Sequence, residues 1–335
     1  MNARSSEEWA AHVGSRVVVR LRDGDGLRDV LGELLAVEGQ TLRVQGRRGP
    51  VKVQLSSVVA GKPVPPKAGR AAPPHQALSV GDLELLMARH WQAEEQDWLG
   101  GWLLRASGGH TNRANSVLPV GEPGMPLDVA LVEVVDWYAE RGLPPVATAP
   151  EPRLDDADTD QLLAATSLFE SAGWRRVTPT LVLTAPVAEL RALQARLGGA
   201  VLPEGLEIDL ADEPDPAWLS QYRYRGQAVP EHGIRLLTSA PQQVFASIRT
   251  AEGEVAGAAR GSLAEGWSGL TEMKVEPQWR RQGLSLALIG AVAEWSRQHR
   301  AQSMFLQVAE DNDAARASYA RAGFGLHHRY SYLTP

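Results

Sequence analysis

Cysteine is absent from the 335 residues. That absence removes disulfides, thiolate metal ligands, cysteine nucleophiles and any route through a protein thioester. Net positive charge is missing as well. A formal charge of −6 gives no global field for holding DNA, RNA or an anionic membrane surface, so neither nucleic acid nor membrane is expected as a partner. No uninterrupted apolar run approaches the roughly 20 residues of a spanning helix, and the opening MNARSSEEWA lacks the apolar core of a signal peptide. A soluble, cytoplasmic protein is the expectation. Two nucleotide-binding signatures are also lacking. No Gly-x-Gly-x-x-Gly follows an early strand and no Gly-x-x-x-x-Gly-Lys-Ser/Thr occurs, which argues against a Rossmann dehydrogenase and a P-loop nucleotidase.

What is present suits a folded enzyme. The chain is 44% hydrophobic and 22% charged, unlike a disordered protein, and its length exceeds the needs of one core, so two or three domains are expected. Short alternating runs at 16–21, 30–37, 41–44 and 51–55, separated by DGDG, EGQ and RRGP, read as strands joined by tight turns. They predict a small all-β, SH3-like barrel over 12–62. A proline- and glycine-rich linker is expected over 63–76. Beyond it, helical spacing from Leu78 to Trp98, a strand at 101–106, the helix PLDVALVEVVDWYAERG, the strand PPVATA, the helix TDQLLAATSLFESAG and the strand WRRVTPTLVLTA predict a mixed α/β domain. The same order returns later: a helix over 283–299, the strand SMFLQVA, the helix NDAARASYARAG and strands around FGLHHRYSYL. Phe169-x-x-x-Gly173-Trp174 matches Tyr319-x-x-x-Gly323-Phe324. The fold class expected is therefore α/β, a duplicated mixed-sheet unit with its halves at 77–200 and 201–335. Ordinary core residues at helical spacing are the alternative explanation of the match.

The chemistry concentrates in the second half. The strand Leu270–Val275 leads through Glu276-Pro277-Gln278-Trp279 into Arg280-Arg281-Gln282-Gly283-Leu284-Ser285 and then directly into an apolar helix. Amides at a helix start have no intrahelical acceptor and the helix dipole favours an anion there, so this turn suits a phosphate. Gly283 leaves room for close approach, and Arg280 and Arg281 add positive charge. A basic turn capping an ordinary helix is the alternative.

The order VEPQWRRQGLSLAL followed by SMFLQVAEDNDAARASYARAGF resembles the GCN5-related N-acetyltransferase family. That family's cofactor loop reads Gln/Arg-x-x-Gly-x-Gly/Ala, and Arg280-x-x-Gly283-x-Ser285 departs from it only at the serine. The resemblance implies acetyl-CoA as cosubstrate, no metal, and transfer of an acetyl group to an amine of a small molecule or protein. It implies that amides from Arg281 through Gln282, Gly283 and Leu284 to Ser285 cradle the pyrophosphate, with Arg280 beside them. Backbone groups of Met273, Lys274 and Val275 would hold the pantetheine arm on a strand splayed from SMFLQVA. Asn312 matches the family asparagine near pantetheine, and Tyr319 matches the tyrosine that protonates the departing thiolate. Glu272 is the nearest candidate base, unless strand alternation turns it to solvent. Glu310 and Asp311 read as a strand-end charge cluster or helix cap, and His327 and His328 as groups near an acceptor site.

The first half departs from this pattern. VLPVGEPGMPLD replaces the arginine-glycine loop and Phe169 replaces the tyrosine, so it reads as a degenerate copy that buttresses the active half or shapes its acceptor pocket. Arg105, Thr111, Arg113, Asn115 and Ser116 form either a polar wall for a carboxylate-bearing or otherwise polar acceptor, or a hydrogen-bonded turn. Together with the β-rich start, the whole arrangement resembles a two-lobed bacterial subgroup labelled N-acetylglutamate synthase-like. A non-catalytic acyl-CoA-binding module remains the alternative function. The acceptor, the base and the oligomeric state stay open at this level.

Overall fold

The computed structural model describes residues 6–10, 12–23, 26–46, 49–63, 73–153, 156–196, 202–224 and 227–335. Its contacts divide the chain into two units, Met1–Ala72 and Pro73–Pro335. Most of the linker expected over 63–76 lies outside the described residues, as do parts of the DGDG and RRGP turns.

The first unit contains α1 (Ser6–Ala10), β1 (Arg16–Asp23), β2 (Gly26–Glu38), β3 (Thr41–Gly46), β4 (Gly49–Gln54) and β5 (Val58–Pro63). Alternation along the strands turns Val17, Val19, Leu34, Leu42, Val44 and Val53 inward, where they pack around the fully buried Trp9 of α1. The expected SH3-like barrel does not form. The sheet is open, in the order β4-β3-β2-β1-β5. Closing a barrel requires its two edge strands to hydrogen-bond to each other. The 3-10 turn Leu55–Ser57 instead carries the chain across to the far edge, where β5 pairs antiparallel with β1. Among the described residues no ladder joins β4 to β5.

The second unit runs through α2 (Val80–His90), β6 (Glu95–Leu99), β7 (Trp102–Ala106), α3 (Leu127–Glu140), β8 (Ala147–Pro150), α4 (Thr159–Ser171), β9 (Arg175–Pro186) and α5 (Val187–Arg196). It continues with β10 (Leu206–Ala211), α6 (Pro216–Gln221), β11 (Arg223–Tyr224), β12 (Gln227–Ala228), α7 (Glu231–Leu237), β13 (Gln242–Thr250), β14 (Val255–Ala264) and β15 (Trp267–Val275). The last elements are α8 (Leu284–Gln298), β16 (Ser303–Ala309), α9 (Asp313–Ala322) and β17 (Gly325–Thr334). The helix expected to reach Trp98 ends at His90, because Glu95 to Leu99 pair with Trp102 to Ala106 in a hairpin turned by Gly100 and Gly101.

An eight-stranded sheet in the order β10-β13-β14-β15-β16-β9-β17-β8 organises this unit. Its right-hand part records an exchange. In the first half β8 leads through α4 to β9, and in the second β16 leads through α9 to β17. Yet β9 pairs with β16 and β17 pairs with β8, while β9 and β17 pair antiparallel with each other. Each half thus lends its last strand to the other. The two helix ends that feed these strands are capped alike. Gly173 and Gly323 are left-handed, and the next residues, Trp174 and Phe324, donate their amides to Phe169 O and Tyr319 O.

The apolar stripe of α8, with Leu284, Leu288, Val292 and Trp295 buried, lies against Val244, Ile248, Ala259, Leu270 and Leu306 of the sheet. Each such burial contributes roughly 1.5–3 kcal/mol, which fixes the helix start against the end of β15.

Candidate functional site

The only parallel pairing of β15 with a neighbour, β16, ends early. It joins Trp267–Leu270 to Ser303–Leu306 and stops there. Beyond Leu270 the strands diverge. A bulge sets the divergence: Thr271 pairs with Arg260 and Lys274 with Ala258, so Glu272 and Met273 share one partner, and Glu272 adopts φ +52°. The bulge decides what alternation alone left open. Glu272 keeps partial exposure, but its carboxyl sits among protein groups, and burial raises its pKa against the opposing pull of Arg113 and Arg260.

Into the gap opens a cavity of about 730 Å³, lined by the end of β15, the start of α8 and the inner face of α9. Met273, Lys274, Val275, Arg280, Arg281, Gly283, Leu284, Ser285, Asn312 and Tyr319 all line it. Gln282 does not; its side chain turns back to donate to Gln278 O at 3.1 Å. Arg280 donates from Nε to Val275 O at 3.2 Å, tying the loop to the strand. The Nζ of Lys274 is engaged, pairing with Glu276 at 2.7 Å and Gln221 at 3.0 Å.

At the helix start, Arg281 and Gly283 have φ +62° and +85°. Gly283 caps α8 in the left-handed region, where any side chain is strained, although a Cβ there meets no protein atom within 4 Å. The first turn-closing bond of α8 is Ala287 N to Gly283 O. Among the described residues no oxygen accepts from the amides of Gln282, Gly283, Leu284 and Ser285. No acidic residue occupies this first turn. Free amides, a left-handed glycine, Arg280, Arg281 and Arg321 at the rim, and a cavity of this size fit an elongated phosphate-bearing molecule. Ser285 has a use of its own: its hydroxyl meets Ser318 of α9 at 3.0 Å and links the two helices that wall the cavity.

Asn312 caps α9, its Oδ1 accepting from Ala315 N at 3.1 Å, which leaves its NH2 group for the cavity. Tyr319 is 8% exposed. Burial, helped by the charge of Glu272, pushes its phenol up to about 12, so it stays protonated at physiological pH. Glu272 does not line the cavity, but its charge acts on Tyr319, which does.

The polar wall read in the first half divides in two. Arg105 donates to Ser116 O at 3.0 Å, Ser116 Oγ at 2.9 Å and Thr148 Oγ1 at 3.1 Å. Asn115 accepts from Ser107 N and Gly109 N and donates to His110 O and Thr111 O. These residues build a turn. Arg113 differs, with its guanidinium 5.0 Å from the Trp91 ring centroid and with Tyr330, Glu272, Tyr332 and Tyr222 acting on its charge. His327 and His328 do not line the cavity. They touch each other at 2.8 Å and tie β17 to α2 through Leu78 O and Glu84. Glu310 pairs with Arg329 as part of a surface charge cluster.

Arg260 escaped the sequence reading. It is fully buried on β14 and donates to Leu237 O, Thr271 Oγ1 and His90 O. A single arginine inside the small apolar run AGAARG was the available signal. Among the described residues no cluster of three or more His, Asp or Glu is arranged to hold a metal, and no helix is long and apolar enough to cross a membrane.

The family described as Probable histone acetyltransferase Rv0428c C-terminal matches residues 79–333. A probable histone acetyltransferase of Mycobacterium tuberculosis is 30% identical over 341 residues, covering 96% of this chain and 95% of its own length. An uncharacterized N-acetyltransferase of Bacillus subtilis, YobR, is 27% identical over 252 residues, covering 73% of this chain and 94% of its own. Among solved structures, a GCN5-related N-acetyltransferase from Kribbella flavida covers 76% of this chain and 95% of its own with a TM-score of 0.56 at 14% identity. A tandem GNAT protein from the clavulanic acid biosynthesis pathway covers 62% and 68% with a TM-score of 0.51 at 16% identity. At those identities the structural likeness establishes the fold.

Proposed function

The chain belongs to the acetyltransferase family that this match defines and is an enzyme that transfers acetyl groups from acetyl-CoA, and we propose that it does so by direct attack of an acceptor amine, with Glu272 as base and Tyr319 as acid. The observation that carries this reading is Tyr319 lining the cavity that opens at the α8 N-terminus, with the charge of Glu272 acting on its phenol.

Acetyl-CoA, when bound, supplies the activated acetyl thioester. The remaining requirements fall on residues of the chain. The amides of Gln282 to Ser285, with Arg280 and Arg281 nearby, hold the pyrophosphate. Backbone groups of Met273 to Val275 and the NH2 group of Asn312 align the pantetheine arm, which positions the thioester. Glu272, its pKa raised by burial, takes a proton from the incoming ammonium. Tyr319 keeps its hydroxyl proton available for the departing sulfur.

The name of the Mycobacterium tuberculosis relative carries a histone acceptor, so a lysine side chain belongs among the amines tested alongside small molecules. Thiol release from acetyl-CoA over a panel of amines reads the reaction. Glu272→Gln lowers kcat about 100-fold or more and removes the acid limb of the pH profile, because only the ionised carboxylate accepts the proton and its pKa lies above the ordinary 4.5. Wild-type turnover and an unchanged profile in that variant would remove Glu272 as the base.

A further inference from the structure

Arg113 is anomalous. Its Nε is buried with no hydrogen-bond partner, and the guanidinium makes no hydrogen bond or ion pair among the described residues. Its neighbour in sequence and type, Arg105, is satisfied by three oxygens, and Arg260 by three more. A buried guanidinium nitrogen without an acceptor is unfavourable unless an anion reaches the group, because that donor has lost water and gained nothing. Trp91 holds Arg113 in place: the indole lies 5.0 Å from the Arg113 guanidinium and 5.3 Å from that of Arg260, and its Nε1 is anchored to Thr111 Oγ1 at 3.2 Å. The side chain is thus ordered and undersupplied with negative charge. Two guanidinium groups, Arg113 and Arg260, share the field of a single carboxylate, Glu272, with the hydroxyls of Tyr222, Tyr330 and Tyr332 around Arg113.

We propose that Arg113 receives a carboxylate carried by the acceptor, so that the preferred acceptors are amines bearing a carboxylate, amino acids among them. This rests on the reading of Glu272 as the group facing the acceptor amine. Arg260 shares the Trp91 ring with Arg113 and donates to Thr271 Oγ1, next to Glu272, whose charge acts on both arginines and on Tyr319 of the cavity wall. An amine at Glu272 therefore leaves the rest of its molecule directed toward Arg113. A carboxylate there accepts two parallel N–H bonds from the guanidinium fork and balances the second cation. The phenols of Tyr330 and Tyr332, 3.5 Å from each other and acting electrostatically on Arg113, are further donors in the same cluster. The neutral amide of the same acid offers no charge to Arg113, which gives the site a basis for selection.

The test uses the full chain and matched probes: L-amino acids and ω-amino acids, each against its primary amide, and a lysine-containing peptide blocked at both ends. Equilibrium binding in the presence of acetyl-CoA and thiol release are measured separately. The proposal expects at least one acid to bind and react about tenfold or more better than its amide. It expects that ratio to collapse in Arg113→Gln and to be partly kept in Arg113→Lys, with acetyl-CoA affinity and melting temperature reporting that both variants fold. Preferential binding of acids without turnover of any probe supports Arg113 while removing the catalytic reading above. Turnover in which amides or the blocked peptide match or exceed the acids overturns the proposal and leaves that reading standing. Absence of both preference and turnover overturns both.

Discussion

Helices α3 and α8 both follow glycine-containing loops and both bury an apolar stripe, but their first turns are prepared for opposite partners. At α8 the cap is a left-handed glycine, no acidic residue follows, and three arginines stand at the rim. At α3 the cap is Pro126, and Asp128 occupies the first turn, where its charge opposes any phosphate. The helices that close the two halves diverge in the same way. Tyr319 lines the cavity, whereas Phe169 is wholly buried between Trp102 and Trp174 at ring separations of 5.9 and 4.8 Å. The glycine caps after both residues are the same. The features the two halves share are therefore held by caps and packing, and the chemistry differs through a few side chains.

Exchange across the halves gives the sharpest break. Tyr319→Phe lowers kcat about 100-fold or more with acetyl-CoA affinity nearly unchanged, since only the proton donor is lost. Phe169→Tyr brings no activity to the first half and costs about 1–3 kcal/mol, because its hydroxyl enters a sealed aromatic cluster. Steady-state kinetics and denaturant melts read the pair. Equal kinetics in Tyr319→Phe and wild type would erase the distinction between the halves.

Next in size is the contrast between loops. Gly283→Val forces a branched side chain into the left-handed region and weakens acetyl-CoA binding about tenfold or more by calorimetry. Gly124, with φ +75°, precedes α3. Gly124→Val carries similar backbone strain and lowers stability, yet leaves the acetyl-CoA dissociation constant alone. Equal losses of affinity in both would mean that α8 has no special part in cofactor binding.

The last contrast concerns the seam between the halves and touches stability alone. His90 of α2 contacts Ser262 of β14 at 2.9 Å, and His327 of β17 contacts Leu78 O. Burial, with Arg260 adding to it, lowers His90 to about 3, and burial followed by His328 lowers His327 to about 4. Both folded values lie below the ordinary 6.5, so the unfolded chain takes up protons first as pH falls. Stability is full above about 6.5 and declines toward pH 4 by on the order of a few kcal/mol. Melting temperatures across that range check it, and a flat profile would contradict neutral, buried histidines at the seam.

Local features of this comparison were readable from the sequence. The turn from Arg280 to Ser285, the strand SMFLQVA and the glycine after Tyr319 are short-range signals, and β16 spans those residues. Features that depend on distant partners were not. The strand exchange needs β9 to find β16 across more than a hundred residues. The open edge of the first unit depends on where β5 lands, which its own alternation does not specify. Glu272 owes its orientation to a bulge against β14, and no pattern within β15 announces it. Trp98 continued the helical spacing of α2, but hairpin pairing with β7 overrode it. Arg113 sat in the polar wall beside Arg105, and only the hydrogen bonds made by one and missing from the other separate a turn residue from a candidate ligand.

A structure of the chain with acetyl-CoA bound tests the account most directly. The account predicts the pyrophosphate within hydrogen-bonding distance of the amides of Gln282 to Ser285 and the thioester between Glu272 and Tyr319. A pyrophosphate at the start of α3, or a thioester remote from both side chains, would contradict it.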